Sequence, residues 1–348
     1  MTSPRVLIII VIHNAVPYLE PCLTSLAAAI YPAGFEILII DNASTDGGVD
    51  YLRQHWSELT LITNQHNLGF AAANNLGFSY GIDHNFDYVF LLNQDTVVDQ
   101  NFLAQAVIVA EQDQSIAAVQ SKLLLFHDSG KINSIGNEIH YLGFAFAGGY
   151  QQADQSLESK NITYASGASV LIRTAAIKKT GMFNPDFFMY HEDTDLGWRF
   201  WLDGFRVVLA PQSVVYHKYE FSRSIAKYYY MERNRYLVIL QNYHWATIIL
   251  VLPALLLMEL GLFAYSLVSG WWREKIKVYG YFFKLSSWRK IIDSRHQVQK
   301  KRKITDRQML KHFTDTIEFQ EVANPLLQYV LNPCFRVYGV LLRWLVWW

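Results

Sequence analysis

Apolar residues fall into two regimes along this chain of 348 residues. Up to about residue 235, short β-branched or aromatic runs alternate with stretches at helical spacing, and each run breaks at a polar cluster. Residues 6–12 are continuously apolar, as expected of a strand buried on both faces of a parallel sheet, and His13-Asn14-Ala15 ends the run. Residues 17–29 carry apolar positions at helical spacing with Pro17 near the start, and Tyr31-Pro32-Ala33-Gly34 stops them before a second strand at 35–40. That strand leads into Asp41-Asn42-Ala43-Ser44-Thr45-Asp46-Gly47, a turn full of side-chain acceptors, and then into a helical stretch at 49–55. A short strand at 59–63, a small-residue helix start at 67–77 and a buried strand at 88–92 follow. Repeated strand-helix units of this kind predict an α/β fold with a mostly parallel central sheet and right-handed crossovers.

The pattern loosens between residues 116 and 164 into short alternating pieces such as 117–125 and a glycine-rich stretch at 143–149, read as strands and a mobile loop. Ser166-Gly167-Ala168 is a small-residue turn entering a strand that ends at Arg173, and 174–180 is a helix closed by Gly181. Past a short aromatic stretch at 187–190, Glu192, Asp193 and Asp195 open another helix. Residues 207–210 and 214–216 read as two short strands, the second delivering His217 at its end.

From residue 245 to 268 the chain is almost wholly apolar and, at helical rise, long enough to span a bilayer, with Pro253 and Glu259 as interruptions. Residues 271–303 carry eleven Lys/Arg against two Asp/Glu. If residues 1–235 face the cytosol, a single crossing would set that basic segment outside, against the positive-inside tendency. A re-entrant hairpin or in-plane helices fit better, with aromatic residues such as Trp271, Trp272 and Trp288 at the headgroups and lysines on anionic lipid. Residues 326–348 mix Leu, Val and Trp with Arg336 and Arg343, an interfacial pattern. The alternative is a buried helical pair or an oligomer interface. Overall the chain is balanced, Lys+Arg 30 against Asp+Glu 30, so no global charge recommends nucleic acid as a partner. Cys22 and Cys334 lack metal or redox spacing and read as small buried thiols of a reducing compartment. No secretory signal is expected, since the run at 6–12 is too short and enters a strand-and-turn pattern.

The chemistry gathers where strands end. Asn93-Gln94-Asp95 sets oxygen ligands at the carboxyl end of a strand, a place that suits a metal and a phosphate, although a polar turn has the same composition. The small residues around Asn67 and Gly69 let either a diphosphate or another backbone approach. One or more of the acids at 192–195 can be a helix-dipole partner, yet the surrounding Phe187, Phe188, Met189, Tyr190 and Trp198 raise carboxylate pKa values and suit a general base. Arg199, one turn past Asp195, is a natural partner for a carboxylate that is not the base.

In combination, Ile12-His13-Asn14, Asp41 to Asp46, Asn67-Leu68-Gly69-Phe70 with Asn74-Asn75, Leu92-Asn93-Gln94-Asp95, Glu192-Asp193-Thr194-Asp195-Leu196 and His217 resemble the inverting glycosyltransferases of family 2. The likeness covers about residues 6–235 and is nearest to the rhamnosyltransferase-like branch of bacterial cell-surface polysaccharide synthesis. It implies a GT-A nucleotide-sugar-binding fold at 1–235 and a helical membrane-association region at 236–348. It also implies a dTDP- or UDP-sugar donor, met by His13, Asn14, Asp41, Asn42, Asn67, Gly69, Asn74, Asn93, Gln94 and Asp95. Asp41 would read the base, and Asp95 with His217 would hold Mg²⁺ or Mn²⁺ against the diphosphate. Asp193 would be the catalytic base, flanked by Glu192 and Asp195, while Arg233 and Arg235 would neutralise the departing diphosphate. The acceptor implied is a polyprenyl-diphosphate-linked saccharide at the cytoplasmic face of the inner membrane, with a homo-oligomer left open. One departure stands out: Asn93 occupies the first acidic position of the aspartate-x-aspartate motif, which leaves a weaker metal site or a catalytically weak, nucleotide-sugar-binding scaffold as the rival. A processive synthase would need a transmembrane channel and a Gln-x-x-Arg-Trp motif, neither of which is found in the sequence.

Overall fold

The computed structural model describes residues 3–218, 225–318 and 325–348. The chain divides into two compact units that interleave along the sequence. A sheet unit holds the described residues of Met1–Asn137, Ala147–Met189 and Phe205–Glu220, and a helical unit holds those of Glu138–Phe146, Tyr190–Gly204 and Phe221–Trp348. This division differs from a single boundary at residue 235. The segments bearing the acidic triplet and the two arginines belong with the carboxyl-terminal helices.

The sheet unit runs β1 (Val6–Ile12), α1 (Val16–Ala27), β2 (Glu36–Asp41), α2 (Gly48–His55), β3 (Thr60–Thr63), α3 (Gly69–Asp83), β4 (Tyr88–Leu92), β5 (Thr96–Val98), α4 (Phe102–Ala110), β6 (Ile116–Leu125) and β7 (Ile132–Ser134). After β8 (Asn137–Ile139) and β9 (Ala145–Ala147), which pair where the chain passes through the helical unit, it resumes with β10 (Lys160–Asn161), β11 (Ser169–Arg173), α5 (Thr174–Thr180) and β12 (Arg206–His217). The strand order is β10-β12-β6-β11-β4-β1-β2-β3, with β5 on β12 and β7 on β6. The pairs β3-β2, β2-β1, β1-β4 and β6-β12 are parallel, and β11 is antiparallel to both β4 and β6. All the long strands but β11 therefore point one way, and their carboxyl ends share an edge.

β1 and β4 are buried throughout or nearly so, which is why they read as unbroken apolar runs. Helix α3 lies close on this layer because Gly77 and Gly81 lack side chains. A Cβ at Gly77 would stand 2.6 Å from Ile9, and one at Gly81 2.6 Å from Val89. The small residues along the body of α3 thus serve helix packing. β12, expected as two strands, is one, with a register shift between Ala210 and Val214 where Pro211 cannot donate to the ladder.

In the helical unit, α6 (Glu192–Leu202), α7 (Lys227–Asn242), α8 (Trp245–Val268), α9 (Trp272–Phe282), α10 (Leu285–Lys301), α11 (Asp306–Met309) and α12 (Asn332–Leu345) follow in order. Of the re-entrant hairpin or in-plane helices anticipated at 245–268, the hairpin does not form. α8 is one continuous helix with Pro253 inside it on an exposed position, where the lost hydrogen bond does not break the helix. Cys22 is buried, as expected, and burial raises its thiol to about 12; Cys334 instead lies exposed on α12.

Glu259, in the middle of α8, is turned inward. It accepts from Lys275 Nζ of α9 at 2.9 Å and from the hydroxyls of Tyr236 and Tyr279. Lys275 is fully buried and also bonds Glu232 Oε2 at 2.5 Å, while Arg235 Nη2 holds the same oxygen at 3.1 Å. Two carboxylates and two cations thus cancel inside the unit. Burial alone would raise the Glu232 carboxyl, but Arg235 and Lys275 outweigh it and hold the group down to about 2. Its contribution to stability is present above the ordinary glutamate value of 4.5 and is lost as pH falls toward 2.

Replacing one member of such a cluster strands a buried charge, so Lys275→Met should cost roughly 3–5 kcal/mol. Denaturant unfolding checks this, and a midpoint equal to the parent's would mean that the cluster is not holding α7, α8 and α9 together.

Candidate functional site

The register Ile12↔Asp41 sets the ends of β1 and β2 level, so their polar continuations meet. Asn42, buried, knits the edge: its Nδ2 donates to Asn67 Oδ1 at 2.9 Å and to the Gly69 carbonyl at 3.3 Å, and its Oδ1 accepts from the Leu68 amide at 2.9 Å. Asn67 Oδ1 also accepts the Gly69 amide at 2.8 Å. Gly69 is required by its φ of +79° and by Phe188, 2.5 Å from where a Cβ would stand. Asn14, at φ 51°, takes the Thr45 amide on Oδ1 at 2.9 Å, and its own amide donates to Ser44 Oγ at 3.0 Å. The Asp41 carboxylate accepts the Ser44 amide at 3.1 Å, and the Asp46 carboxylate accepts from Val16 and Gly48. His13 bonds the Asn42 carbonyl through Nδ1 at 3.1 Å. Its amide donates at 2.8 Å to Gln94 Oε1, clasping the end of β1 to the turn after β4. His13, Asn14, Asp41, Asn42, Asn67, Gly69 and Gln94 are therefore one hydrogen-bonded edge.

Asn74 is not part of that edge. It is buried inside α3, and its Nδ2 donates to the Phe70 carbonyl one turn earlier at 2.9 Å, so it cannot reach a ligand. The neighbouring Asn75 instead fixes the loop after α5, with Nδ2 on the Phe183 carbonyl at 2.8 Å and Oδ1 on its amide at 3.1 Å.

Asp95 and His217, 122 positions apart by their numbering, are brought together by a three-residue strand. β5 pairs antiparallel with β12 at Thr96↔His217, which sets His217 Nε2 3.4 Å from Asp95 Oδ1. The histidine is nearly buried, with Nδ1 2.9 Å from Asn133 Oδ1 on β7, and the carboxylate is about a quarter exposed. Asn93 sits at the head of this turn, its amide on the Ala168 carbonyl at 3.0 Å and its own carbonyl accepting from Thr96 Oγ1 at 2.7 Å. Among the described residues no group of three or more His, Cys, Asp or Glu is placed to hold a metal. One carboxylate and one imidazole, with Asn133 orienting the ring, suit Mg²⁺ or Mn²⁺ if diphosphate oxygens supply the other ligands.

In the helical unit α6 starts from a strained backbone, with Tyr190 and His191 at φ 67° and 66°. Asp195 is committed: Oδ2 accepts from Arg199 Nε at 2.7 Å and Oδ1 from Asn242 Nδ2 at 2.9 Å, with the side chain 1% exposed. Asp193 is half-buried and accepts the Thr194 amide at 2.7 Å. Glu192 is buried with Oε2 unpartnered among the described residues, and burial, then the Asp193 charge, push its carboxyl well above its ordinary value. His191 is held down to about 4 by burial, then by Arg235, so it is neutral at pH 7.

Arg235 corrects the sequence expectation. Its guanidinium is consumed by Glu232 and the Leu142 carbonyl, the latter at 3.2 Å, and at 1% exposure it has no route to a diphosphate. Arg233 is buried among Tyr229, Tyr230 and Tyr281, each ring centre 5.2–5.3 Å from its guanidinium carbon, and donates to Asn234 Oδ1 at 2.9 Å. Asn234 in turn donates to the Tyr190 carbonyl at 2.7 Å, so α7 braces the start of α6.

A sequence model described as glycosyl transferase family 2 matches residues 7–181, half of the chain. The chain belongs to that family. Relatives include the O-antigen biosynthesis protein RfbC of Myxococcus xanthus, 26% identical over 231 residues, 64% of this chain and 18% of that protein. The poly-β-1,6-N-acetyl-D-glucosamine synthase of Staphylococcus aureus (strain COL) is 26% identical over 201 residues, 57% of this chain and 46% of the synthase. The chain thus spans less than half the length of these relatives. Among solved structures, S. aureus TarS 1–349 in complex with UDP aligns with TM-score 0.51 at 17% identity over 97% of this chain and 89% of that one. GalNAc-T7 with UDP, GalNAc and Mn²⁺ aligns with TM-score 0.55 at 16% identity over 68% of this chain and 47% of that one. These likenesses show the GT-A fold.

In this family 2 chain, sequence reasoning missed Asn133, Asn242 and Asn234. The first orients His217, the second occupies Asp195 and the third anchors Tyr190, and no local motif marks any of them. They become visible only through long-range pairing.

Because the buried Glu192 keeps its proton above the ordinary glutamate value of 4.5 while the unfolded chain releases it, its presence lowers stability as pH rises through that window. Glu192→Gln should therefore melt higher than the parent at neutral pH, with the gain vanishing below about pH 4. Thermal melts across pH check this; a pH-independent difference would mean that Glu192 is ionised in the folded state.

Proposed function

We propose that this family 2 chain is an inverting glycosyltransferase that moves a sugar, rhamnose being one candidate, from a dTDP- or UDP-sugar to a hydroxyl of a lipid-linked saccharide. The work belongs to cell-surface polysaccharide assembly at the cytoplasmic face of the membrane. The observation that carries the reading is the meeting of Asp95 with His217 at the carboxyl-end edge of the sheet, beside the Asp41–Asn42–Asn67 network. The neighbours of the same fold in complex with UDP, and with UDP, GalNAc and Mn²⁺, support a nucleoside-diphosphate donor. Relatives named for O-antigen biosynthesis and poly-N-acetylglucosamine synthesis support a polysaccharide product.

In this reading Asp41 and the turn to Asp46 receive the nucleoside, and the Asn67–Gly69 turn, covered at Gly69 by Phe188, holds Asn42 in place on that edge. Asp95 and His217 hold Mg²⁺ or Mn²⁺, which when bound supplies charge neutralisation of the leaving nucleoside diphosphate. Asp193 takes the proton from the acceptor hydroxyl as it attacks the anomeric carbon from the face opposite the leaving group, giving inversion. Asp195 is unsuited to that role because Arg199 and Asn242 occupy both of its oxygens. Glu192, its carboxyl pushed up by burial and by the Asp193 charge, stands beside the base. Asn93 favours one rival, a nucleotide-sugar-binding protein without turnover.

Turnover of a nucleotide-sugar panel with detergent-solubilised lipid acceptor and divalent metal separates the two. Asp193→Asn should lower turnover about 10²- to 10⁴-fold with donor affinity unchanged; near-parental turnover would remove Asp193 from the mechanism. No turnover of any donor by the parent, with nucleotide binding intact, would favour the binding protein.

His217→Ala and Asn133→Ala should both shift metal binding to higher concentration, His217→Ala more strongly and Asn133→Ala by about ten-fold or more. Titrating Mn²⁺ against the nucleotide-bound protein by calorimetry reads this without turnover. Equal isotherms for parent and His217→Ala would make the histidine structural.

A further inference from the structure

We propose that the outward faces of α8 and α12 dock the helical unit onto an anionic phospholipid surface, with α8 lying in the plane of one leaflet and not across the bilayer. The inference is independent of the reaction assigned above. α8 is apolar on both sides. Its inner side buries Val251, Ala254, Leu255 and Met258, while Ile249, Leu252, Leu256 and Leu260 face out, Leu260 being 71% exposed. A surface helix of a water-soluble unit carries polar residues there. α12 packs on α8, its Tyr338 hydroxyl on the Leu250 carbonyl and Trp348 Nε1 on Thr247 Oγ1 at 2.9 Å. It buries Phe335, Gly339 and Leu342 and exposes Val337, Val340 and Trp344, the last 80% exposed, and Trp347 just past its end is exposed as well.

Charge selects the occupant. α9 begins three residues after α8 ends, and α9 and α10 expose Arg273, Lys277, Arg289 and Lys300. Such an apolar face with tryptophans and a basic flank matches an anionic lipid surface. A second copy of this chain would bring the same basic flank, so two-fold pairing sets cation near cation. The ion pair inside the unit selects the orientation. Glu259, midway along α8, is bonded to Lys275 in the first turn of α9. Were α8 to cross the bilayer, that turn and the next would lie at hydrocarbon depth with Arg273 and Lys277 exposed on them, a placement lipid strongly disfavours. Lying in the plane, α8 sinks only its outer face and leaves α9 at the headgroups.

The test uses the full chain and vesicles of phosphatidylcholine with and without phosphatidylglycerol. The parent should sediment with the phosphatidylglycerol vesicles, and salt should weaken but not abolish binding. The double variant Leu256→Gln/Trp344→Gln should bind at least about ten-fold more weakly with an unchanged thermal melt. Should that variant fail to fold, Lys277→Glu/Arg289→Glu, which leaves the apolar face intact, should lose binding at low salt. A nitroxide on Leu260→Cys in a Cys334→Ser background should report a depth just below the headgroups. Three outcomes overturn the proposal: vesicle binding indifferent to these variants, a label at the bilayer midplane, or no vesicle binding together with self-association that the apolar double variant abolishes.

Discussion

Strands buried on both faces have room for polar side chains only where they end, and the sheet unit is arranged by that constraint. β1 and β4 are apolar to their last residues and β2 is apolar from Ile37 to Ile40, and Asp41 at its end with Asn42, His13 and Asn93–Asp95 carry the chemistry. Level registers turn three separate loop starts into a single edge. A very short strand does comparable work: β5 has three residues, yet its pairing with β12 is what seats Asp95 beside His217. A slip of one residue there would point His217 to the other face of the sheet and separate the pair.

This logic explains what could be read from the sequence. β1, β4 and α5 fall within the residues expected, because each is a strong local pattern bounded by an abrupt polar or glycine signal. The Asp95–His217 meeting was also legible, since both residues stand at strand ends in a sheet whose strands largely share a direction. Other features depend on partners distant in the chain. Asn74 looked like part of a ligand-binding turn but spends its amide on its own helix, and Arg235 looked like an anion binder but is matched by Glu232. A cationic side chain in a sequence shows its charge, not its counter-ion. The continuity of α8 was likewise hidden, because Pro253 and Glu259 look like interruptions when their surroundings are unknown.

The acidic turn of α6 shows how three similar groups acquire different characters. Asp195 is held by two donors, Glu192 is desolvated with its Oε2 unpartnered among the described residues, and Asp193 keeps partial access to solvent. Their distinction comes from neighbours on α7 and from the left-handed Tyr190–His191 entry, and no spacing rule within Glu192–Asp195 contains it.

The bond between Glu259 and Lys275 has a consequence for biosynthesis. The two residues are 16 positions apart, so the carboxylate emerges from the ribosome before the ammonium that neutralises it. During that interval the nascent α8 offers an insertion machinery a long apolar segment with one unpaired acid. Once α9 has been made, folding can withdraw the acid and that side of the helix from recognition. The fate of the segment is then a race between capture and folding, and the short spacing between the two residues shortens the time in which capture can win.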